Sequence, residues 1–264
     1  MLFRSFANPS ATSRRALALI FGGLTAFILA TATASPVAAT PNKPTPAPLH
    51  IVCDRLIDDF RTEKPGQLPR SWDARSSSDQ DRIRKRPHFR VRRNRQAHVL
   101  HARFQDQTVT IGRQVKAWSL NEYPILQWKW RAIQLPAHAK ETDSSRNDTA
   151  AAVYAVWEIG LPFKVRSIKY TWSSTLPTGT RYEKGFGHFQ LLVKESGKIH
   201  LGKWRTERVN IRDHYARFFD RRDNQSPSGI AIMTDADSTD GRAEAEFTDF
   251  RLCRLIPVAV KVAR

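Results

Sequence analysis

Apolar and polar residues alternate with a period of two through most of the second half of the chain. In residues 124–132, Leu126, Trp128 and Trp130 fall on one side, and polar residues fall between them. A period of two is typical of a β-strand with one buried face. Residues 149–159 are apolar on both sides, which predicts a central strand that is covered on both faces.

Further segments follow the same period and add strands to the prediction. Residues 189–194 and 199–209 flank Glu195-Ser196-Gly197-Lys198, a sequence that favours a hairpin turn. One amphipathic helix is expected over residues 211–219, with Asn210 as its N-cap. The other predicted strands cover residues 98–104, 108–115, 168–173, 229–234 and 243–255.

Strands follow one another without the regular helices that a parallel sheet needs between them. About ten strands and a single helix therefore predict an all-β fold, an antiparallel β-sandwich or jelly roll with one short helix. We expect one such domain over residues 51–256, followed by a tail at 257–264.

The first residues have the order of an export signal. Arg14 and Arg15 precede an uncharged apolar run over residues 16–30, and Ala32-Thr33-Ala34 offers a small-residue cleavage site. We interpret residues 1–34 as this signal and the proline-rich residues 35–50 as a linker. An uncleaved membrane anchor is the alternative, because no charge follows Arg15 before Lys43. The predicted location is periplasmic or extracellular.

The chain is strongly basic, with 43 Lys and Arg residues against 25 Asp and Glu and a formal charge of +18. Such a charge attracts polyanions, so an envelope polyanion or glycan is the expected partner and an anionic membrane surface is a further one. Export argues against nucleic acid. The alternative is that the charge only maintains solubility. No pattern in the sequence indicates an oligomer.

Two cysteines, Cys53 and Cys253, lie near opposite ends of the predicted domain. Both are in strand-like segments, and the first and last strands of a β-sandwich are often neighbours. In an oxidising compartment the two residues form a disulfide candidate, and two buried free thiols are the alternative.

Five segments together resemble an uncharacterised bacterial family, the domain of unknown function 3047. They run in the same order through the predicted domain, and the resemblance extends from about Asp58 to Leu252. It implies no established activity and therefore no catalytic residues. The arginine-rich stretch between Gln80 and Arg95 departs from the family pattern. The segments are residues 123–130 (YPILQWKW), 147–154 (NDTAAAVY), 169–174 (KYTWSS), 202–208 (GKWRTER) and 229–239 (GIAIMTDADST).

The last strand carries acidic residues that suggest catalysis. Glu244, Glu246 and Asp249 lie on one predicted strand, and carboxylates at positions i and i+2 project from the same face about 7 Å apart. Glycoside hydrolysis by two carboxylates uses separations of that size. The alternative is a strand whose exposed acids serve solubility. No nucleophile elbow, phosphate loop or HExxH motif is present.

Acidic residues near the two ends of the domain suggest a structural calcium ion. Asp58 and Asp59 follow the first strand and Asp249 lies on the last, so pairing of these strands would bring the three carboxylates together. Asp235-Ala236-Asp237 begins like an EF-hand loop. The residues that follow break the EF-hand spacing, which excludes that motif. No other cofactor is expected.

The strongest cluster of charge is basic. Arginine groups bind phosphates and carboxylates through paired hydrogen bonds, so we take Arg90, Arg92 and Arg93 as candidate ligand-binding residues. The alternative is a solvated edge strand on which charge blocks aggregation. The cluster comprises Arg82, Arg84, Lys85, Arg86, Arg90, Arg92, Arg93 and Arg95.

Tryptophans at strand spacing mostly indicate a core. Trp172 and Trp204 have polar neighbours in sequence, so they are the candidates for stacking on a sugar. Our hypothesis is an exported β-sandwich that binds an anionic or glycan ligand at the cell envelope. A glycan hydrolase that uses the last strand and a structural envelope protein without a small ligand are the alternatives. The sequence does not decide whether the protein is an enzyme.

Overall fold

The computed structural model describes residues 48–258, apart from positions 75, 87, 94–96, 161–163 and 240. The predicted export signal and the linker up to residue 47 lie outside the described residues, as do residues 259–264 of the predicted tail. In the described part, thirteen strands and two helices follow one another. In chain order they are β1 Leu49–Asp58, β2 Asp73–Ala74, α1 Ser77–Lys85, β3 Phe89–Arg93, β4 His98–Gln105, β5 Thr108–Gln114, β6 Ile125–Gln134, β7 Thr149–Glu158, β8 Val165–Ser173, β9 Arg181–Lys184, β10 Phe189–Ser196, β11 Arg205–Asn210, α2 Ile211–Phe219, β12 Gly229–Asp235 and β13 Arg242–Pro257.

The strands form two sheets, which confirms the predicted all-β sandwich. One sheet has six strands in the order β11-β6-β13-β4-β3, with β1 paired to β13. The other has seven strands in the order β2-β5-β12-β7-β8-β10-β9. Among the described strands, the pairings are antiparallel except that of β8 with β10, which is parallel. As predicted, β7 is a central strand, and its residues are mostly buried.

Aromatic side chains from both sheets fill the space between them. The ring centroids of Trp128 on β6 and Tyr170 on β8 are 5.5 Å apart. Those of Trp130 and Trp172, on the same two strands, are 5.9 Å apart at 61°. Large rings that interdigitate across two sheets bury much apolar surface and give a densely packed core.

The predicted hairpin between residues 189–194 and 199–209 is wrong. Strand β10 lies in the seven-stranded sheet, whereas β11 lies in the six-stranded sheet beside β6. The connecting segment crosses between the sheets. The backbone N–H of Gly197 donates to Ser173 on β8 at 2.9 Å, and that of Gly202 donates to Ala132 on β6 at 2.7 Å. Both glycines adopt positive φ angles that favour glycine.

Helix α2 matches its prediction, and helix α1 was not foreseen. The Asn210 side chain accepts a hydrogen bond from the N–H of Asp213 at 3.1 Å and caps α2. Helix α1 begins after Ser76, whose hydroxyl accepts from the N–H of Asp79 at 3.1 Å. Its residues follow no apolar stripe, and none of them is buried. A helix without a buried face has no periodic pattern of apolar residues, so its sequence does not predict it.

The first and last strands pair antiparallel, with His50 opposite Ile256 and Arg55 opposite Leu252. This pairing joins Cys53 to Cys253 in a disulfide that links positions 200 residues apart. Among the described residues, no helix is long and apolar enough to cross a lipid bilayer.

Candidate functional site

The outer face of the six-stranded sheet follows from the alternation along its strands. On β6, Trp128 and Trp130 are buried in the core, so Lys129 and Arg131 project to the other side. On β13, Ala245 and Phe247 are in the core, which places Glu244 and Glu246 on the same outer side. Strand β4 lies beside β13, and its alternation adds His101 and Arg103.

Strand pairing aligns several of these side chains in one row across the sheet. Glu246 lies opposite Arg131 on β6 and opposite His101 on β4, and His101 lies opposite Arg90 on β3. At the β11 end, the guanidinium carbon of Arg131 is 5.0 Å from the centroid of the Trp204 ring. Side chains directly opposite on paired strands lie close enough to interact.

We refer to this outer surface as the charged face. Its residues are Arg90, Arg92, His101, Arg103, Lys129, Arg131, Trp204, Arg208, Glu244, Glu246, Asp249 and Arg251.

Arg131 holds Glu246 firmly at the centre of the charged face. The Nε and a terminal N–H of Arg131 both donate to one carboxylate oxygen of Glu246, at 2.7 and 2.6 Å. Only 5% of the Glu246 side chain is exposed, whereas 29% of Arg131 is. Charge-assisted hydrogen bonds of this kind are among the strongest in proteins. Glu246 is therefore fixed in place, and its Oε2 is occupied by hydrogen bonds from Arg131.

Glu244 is engaged in a similar way by a histidine. Its Oε1 is 2.6 Å from Nε2 of His101, and its Oε2 is 3.9 Å from Nε of Arg103. Burial lowers the pKa of His101 below its ordinary value, and this effect outweighs that of the hydrogen bond to Glu244, which raises the pKa. The nearby Arg92 lowers the pKa further. His101 is thus neutral at pH 7 and donates its N–H to the carboxylate.

Asp249 sits at an irregularity in β13, where it adopts a positive φ of 55°. Its carboxylate lies 3.0 Å from Nζ of Lys129 and accepts a hydrogen bond from Nε of Arg251 at 2.5 Å. Burial acts to raise the pKa of Asp249, but the hydrogen bonds from Arg251 and Lys129 outweigh it and leave the pKa below its ordinary value. The residue is consequently ionised and paired.

The three residues predicted to share a calcium ion do not converge. Among the described residues, Asp58, Asp59 and Asp249 form no carboxylate cluster. Asp58 accepts hydrogen bonds from Trp72 Nε1 at 2.8 Å and from Arg113. Asp59 accepts from the backbone N–H of Arg61. Each of these carboxylates forms an ion pair with a cationic side chain of the protein.

The two tryptophans proposed for sugar stacking differ in their exposure to solvent. Trp172 is fully buried, with its Nε1–H donating to the carbonyl of Gly197 at 3.1 Å, so its assignment to a ligand was wrong. The prediction relied on the polar neighbours Thr171 and Ser173. On a strand these residues project to the face opposite Trp172, so they do not indicate that Trp172 is exposed. Trp204 is 37% exposed at the edge of the charged face.

The three candidate arginines of β3 are divided between the two sides of the strand. Phe89 and Val91 are buried, so Arg90 and Arg92 project from the charged face. Arg93 has the opposite orientation and is exposed at the end of the strand. Arg93 therefore does not share a surface with the other two.

Two central members of the charged face, His101 and Arg131, were not selected from the sequence. Arg131 lies on the polar side of a strand whose alternation is clear, and His101 alternates with the buried Leu100 and Ala102. The missing information was the order of the strands. Only the pairing of β13 with both β4 and β6 shows that these side chains meet Glu246.

Comparison with known protein families supports the resemblance seen in the sequence. The model of the family described as "Protein of unknown function (DUF3047)" matches residues 71–251. The chain belongs to this family. The comparison with curated proteins finds no match.

Among solved structures, the DUF3047 chain is similar to carbohydrate-binding modules and a glycoside hydrolase. A family 11 carbohydrate-binding module from Clostridium thermocellum, in complex with a β-1,3-1,4-mixed-linked tetrasaccharide, is 8% identical, covers 75% of this chain and 94% of its own, and gives a TM-score of 0.39. A family 28 carbohydrate-binding module specific for non-crystalline cellulose is 11% identical, covers 74% of this chain and 92% of its own, and gives a TM-score of 0.37. Endoglucanase 3 of Trichoderma harzianum, from family GH12, is 9% identical, covers 81% of this chain and 100% of its own, and gives a TM-score of 0.38. Likeness to a solved structure does not identify a ligand.

Proposed function

We propose that the protein binds an acidic glycan across the charged face. The proposal rests on one observation above all, the partly exposed ring of Trp204 held against Arg131 in a row of charged side chains. An aromatic ring at a polar surface offers an apolar plane to the C–H face of a sugar, and neighbouring guanidinium groups bind carboxylates or sulfates.

The charge of this face favours an acidic sugar over a neutral one. Its carboxylates are those of Glu244, Glu246 and Asp249, and each is already engaged by protein groups. Basic groups are in excess, so the field of the face attracts anions. Those basic residues are Arg90, Arg92, Arg103, Lys129, Arg131, Arg208 and Arg251.

Binding is a better interpretation than hydrolysis. A glycosidase needs one carboxylic acid that donates a proton and a second carboxylate that faces the sugar. Here Glu246 is 4% exposed and its oxygen accepts two N–H groups from Arg131, while Glu244 accepts from His101. Both groups therefore serve to hold neighbouring side chains in place rather than to meet a substrate.

The disulfide supports action outside the cytosol. Disulfides persist in oxidising compartments and are rare where thiols are kept reduced. The link between Cys53 and Cys253 agrees with export by the predicted signal at residues 1–34. We therefore place glycan binding in the periplasm or the extracellular space, and an acidic envelope polysaccharide is the proposed partner.

Calorimetric titration with two probes tests the proposal. Polygalacturonate supplies an acidic sugar chain and cellohexaose a neutral one. We expect binding of polygalacturonate that weakens with added salt, since exposed charges are screened. Trp204→Ala should weaken it about tenfold, in line with the loss of roughly 1–2 kcal/mol from an aromatic contact.

Ile199→Ala is the matched control, because Ile199 is an apolar side chain that is 80% exposed and is not part of the charged face. Its affinity for polygalacturonate should equal that of the unmodified protein. Equal affinities for the Trp204 and Ile199 variants would contradict the proposal. Preference for cellohexaose over polygalacturonate would contradict the assignment to acidic sugars.

A further inference from the structure

Three carboxylates from separate parts of the chain converge near one end of the seven-stranded sheet. Asp148 immediately precedes β7, Asp235 ends β12, and Asp237 follows two residues later. One oxygen from each lies within 4.8 Å of the others. We refer to these three residues as the acidic cluster.

Asp148 organises the loop that carries Asp237. Its Oδ1 accepts the backbone N–H groups of Asp237 and Ser238, at 3.1 and 2.9 Å. Its Oδ2 accepts both the N–H and the hydroxyl of Thr239, at 2.9 and 2.5 Å. The loop after β12 is thereby fixed, and Asp237 is held beside Asp235.

Asp235 is the member that the protein leaves unsatisfied. It is only 5% exposed, and in the described part of the chain its buried Oδ1 has no hydrogen-bond partner. A buried carboxylate oxygen without a partner is costly, and native structures normally supply one. This orphaned oxygen is evidence for a missing partner that is independent of the clustering of the acids.

The charges around the acidic cluster do not cancel. Glu141 is also buried, and it accepts hydrogen bonds from the hydroxyls of Thr149 and Ser173 at 2.7 and 2.6 Å. Lys169 is the cation that faces the group, and it is 4% exposed. Three buried carboxylates and the exposed Asp237 face one ammonium, which leaves a negative excess that a bound cation would offset.

We propose that Asp235 and Asp237 bind a divalent cation beside Asp148, and that this cation is calcium. The available ligands are oxygens alone, which suits a hard cation. Calcium accepts irregular arrangements of six to eight oxygens, whereas magnesium requires a near-ideal octahedron. A cation here would hold the loop after β12 against the end of that strand.

Calorimetric titration of the chelator-treated full chain with calcium chloride at pH 8 tests the site. We expect one calcium ion per chain, and at least tenfold weaker binding in Asp235→Asn and Asp237→Asn. Asp143→Asn is the matched control, because Asp143 is a carboxylate of the β6–β7 connection that pairs with Arg146 and is not in the cluster. Binding that persists in the Asp235 and Asp237 variants would place the ion elsewhere and overturn the proposal.

A second variant keeps the test informative if Asp235→Asn fails to fold. Lys169→Met removes the competing cation and should strengthen calcium binding severalfold. The rival explanation is a proton shared between Asp235 and Asp237, which satisfies the acids without a metal. Absence of calcium binding at pH 8 in both the unmodified chain and Lys169→Met would favour that explanation and overturn the proposal. Tighter binding of magnesium than of calcium would overturn the choice of ion.

Discussion

The charged face and the acidic cluster use the same residue types in opposite proportions. On the charged face, Arg131 holds Glu246 with hydrogen bonds of 2.6–2.7 Å, and basic groups outnumber acids. In the acidic cluster, the carboxylates outnumber the ammonium of Lys169, and among the described residues one oxygen of Asp235 has no hydrogen-bond partner. The local ratio of charges, rather than their number, therefore governs whether a buried carboxylate is fully paired or keeps an unpartnered oxygen.

The largest effect is expected from breaking the central pair of the charged face. Arg131→Ala leaves Glu246 almost fully buried without its cation, and removal of one partner from a buried pair typically costs about 3 kcal/mol. Arg103→Ala is the control, because 61% of the Arg103 side chain is exposed and its ion pair is long, and it should cost less than about 0.5 kcal/mol. Urea denaturation measures both, and equal losses would contradict the central role of the Arg131–Glu246 pair.

The opposite sign is expected in the acidic cluster. In calcium-free buffer at pH 8, Asp235→Asn removes a buried charge that Lys169 offsets only in part. The variant should stabilise the fold by about 1 kcal/mol, since neutral replacement of poorly compensated buried charge is often stabilising. In excess calcium the same variant should be less stable than the unmodified protein, because it loses a ligand. A variant that is destabilised equally with and without calcium would show that Asp235 has an ordinary structural role.

The last prediction concerns the dependence of stability on pH and follows from the direction of one pKa shift. The pKa of Asp235 is raised to about 7 in the folded state, above its ordinary value near 4 when unfolded. The folded protein therefore holds an extra proton between pH 4 and pH 7, and this group contributes stability that is lost as pH rises through that range.

The pH effect is best seen as a difference between two proteins. Buried histidines oppose it, since burial lowers the pKa of His214 to about 4 and makes the folded state more stable as pH rises. In calcium-free buffer, the stability of Asp235→Asn relative to the unmodified protein should increase from pH 5 to pH 8. The His214 contribution cancels in this difference. A difference that does not change with pH would contradict the raised pKa.

The sequence predicted what depends on local pattern. The alternation of Trp128, Lys129, Trp130 and Arg131 predicted which side chains of β6 are buried, and the cap at Asn210 predicted the start of α2. In both cases the deciding residues are neighbours along the chain. The family resemblance rested on segments from the same strands and was confirmed by the match over residues 71–251.

What could not be predicted depends on which strands become neighbours. Glu246 meets Arg131 and His101 only because β13 lies between β4 and β6. Asp148 and Asp235 meet because β12 pairs with β7, with an irregularity just before Asp235. The failed hairpin has the same origin, since a good turn sequence does not specify whether its two strands remain in one sheet.

Nuclear magnetic resonance of the tryptophan indole N–H groups tests glycan binding on the charged face most directly. The Trp204 and Trp172 signals can be assigned from Trp204→Phe and Trp172→Phe variants. On titration with polygalacturonate, the Trp204 signal should shift progressively, and the buried Trp172 signal should not move. A Trp204 signal that stays fixed while another part of the protein binds the polysaccharide would contradict the proposed site.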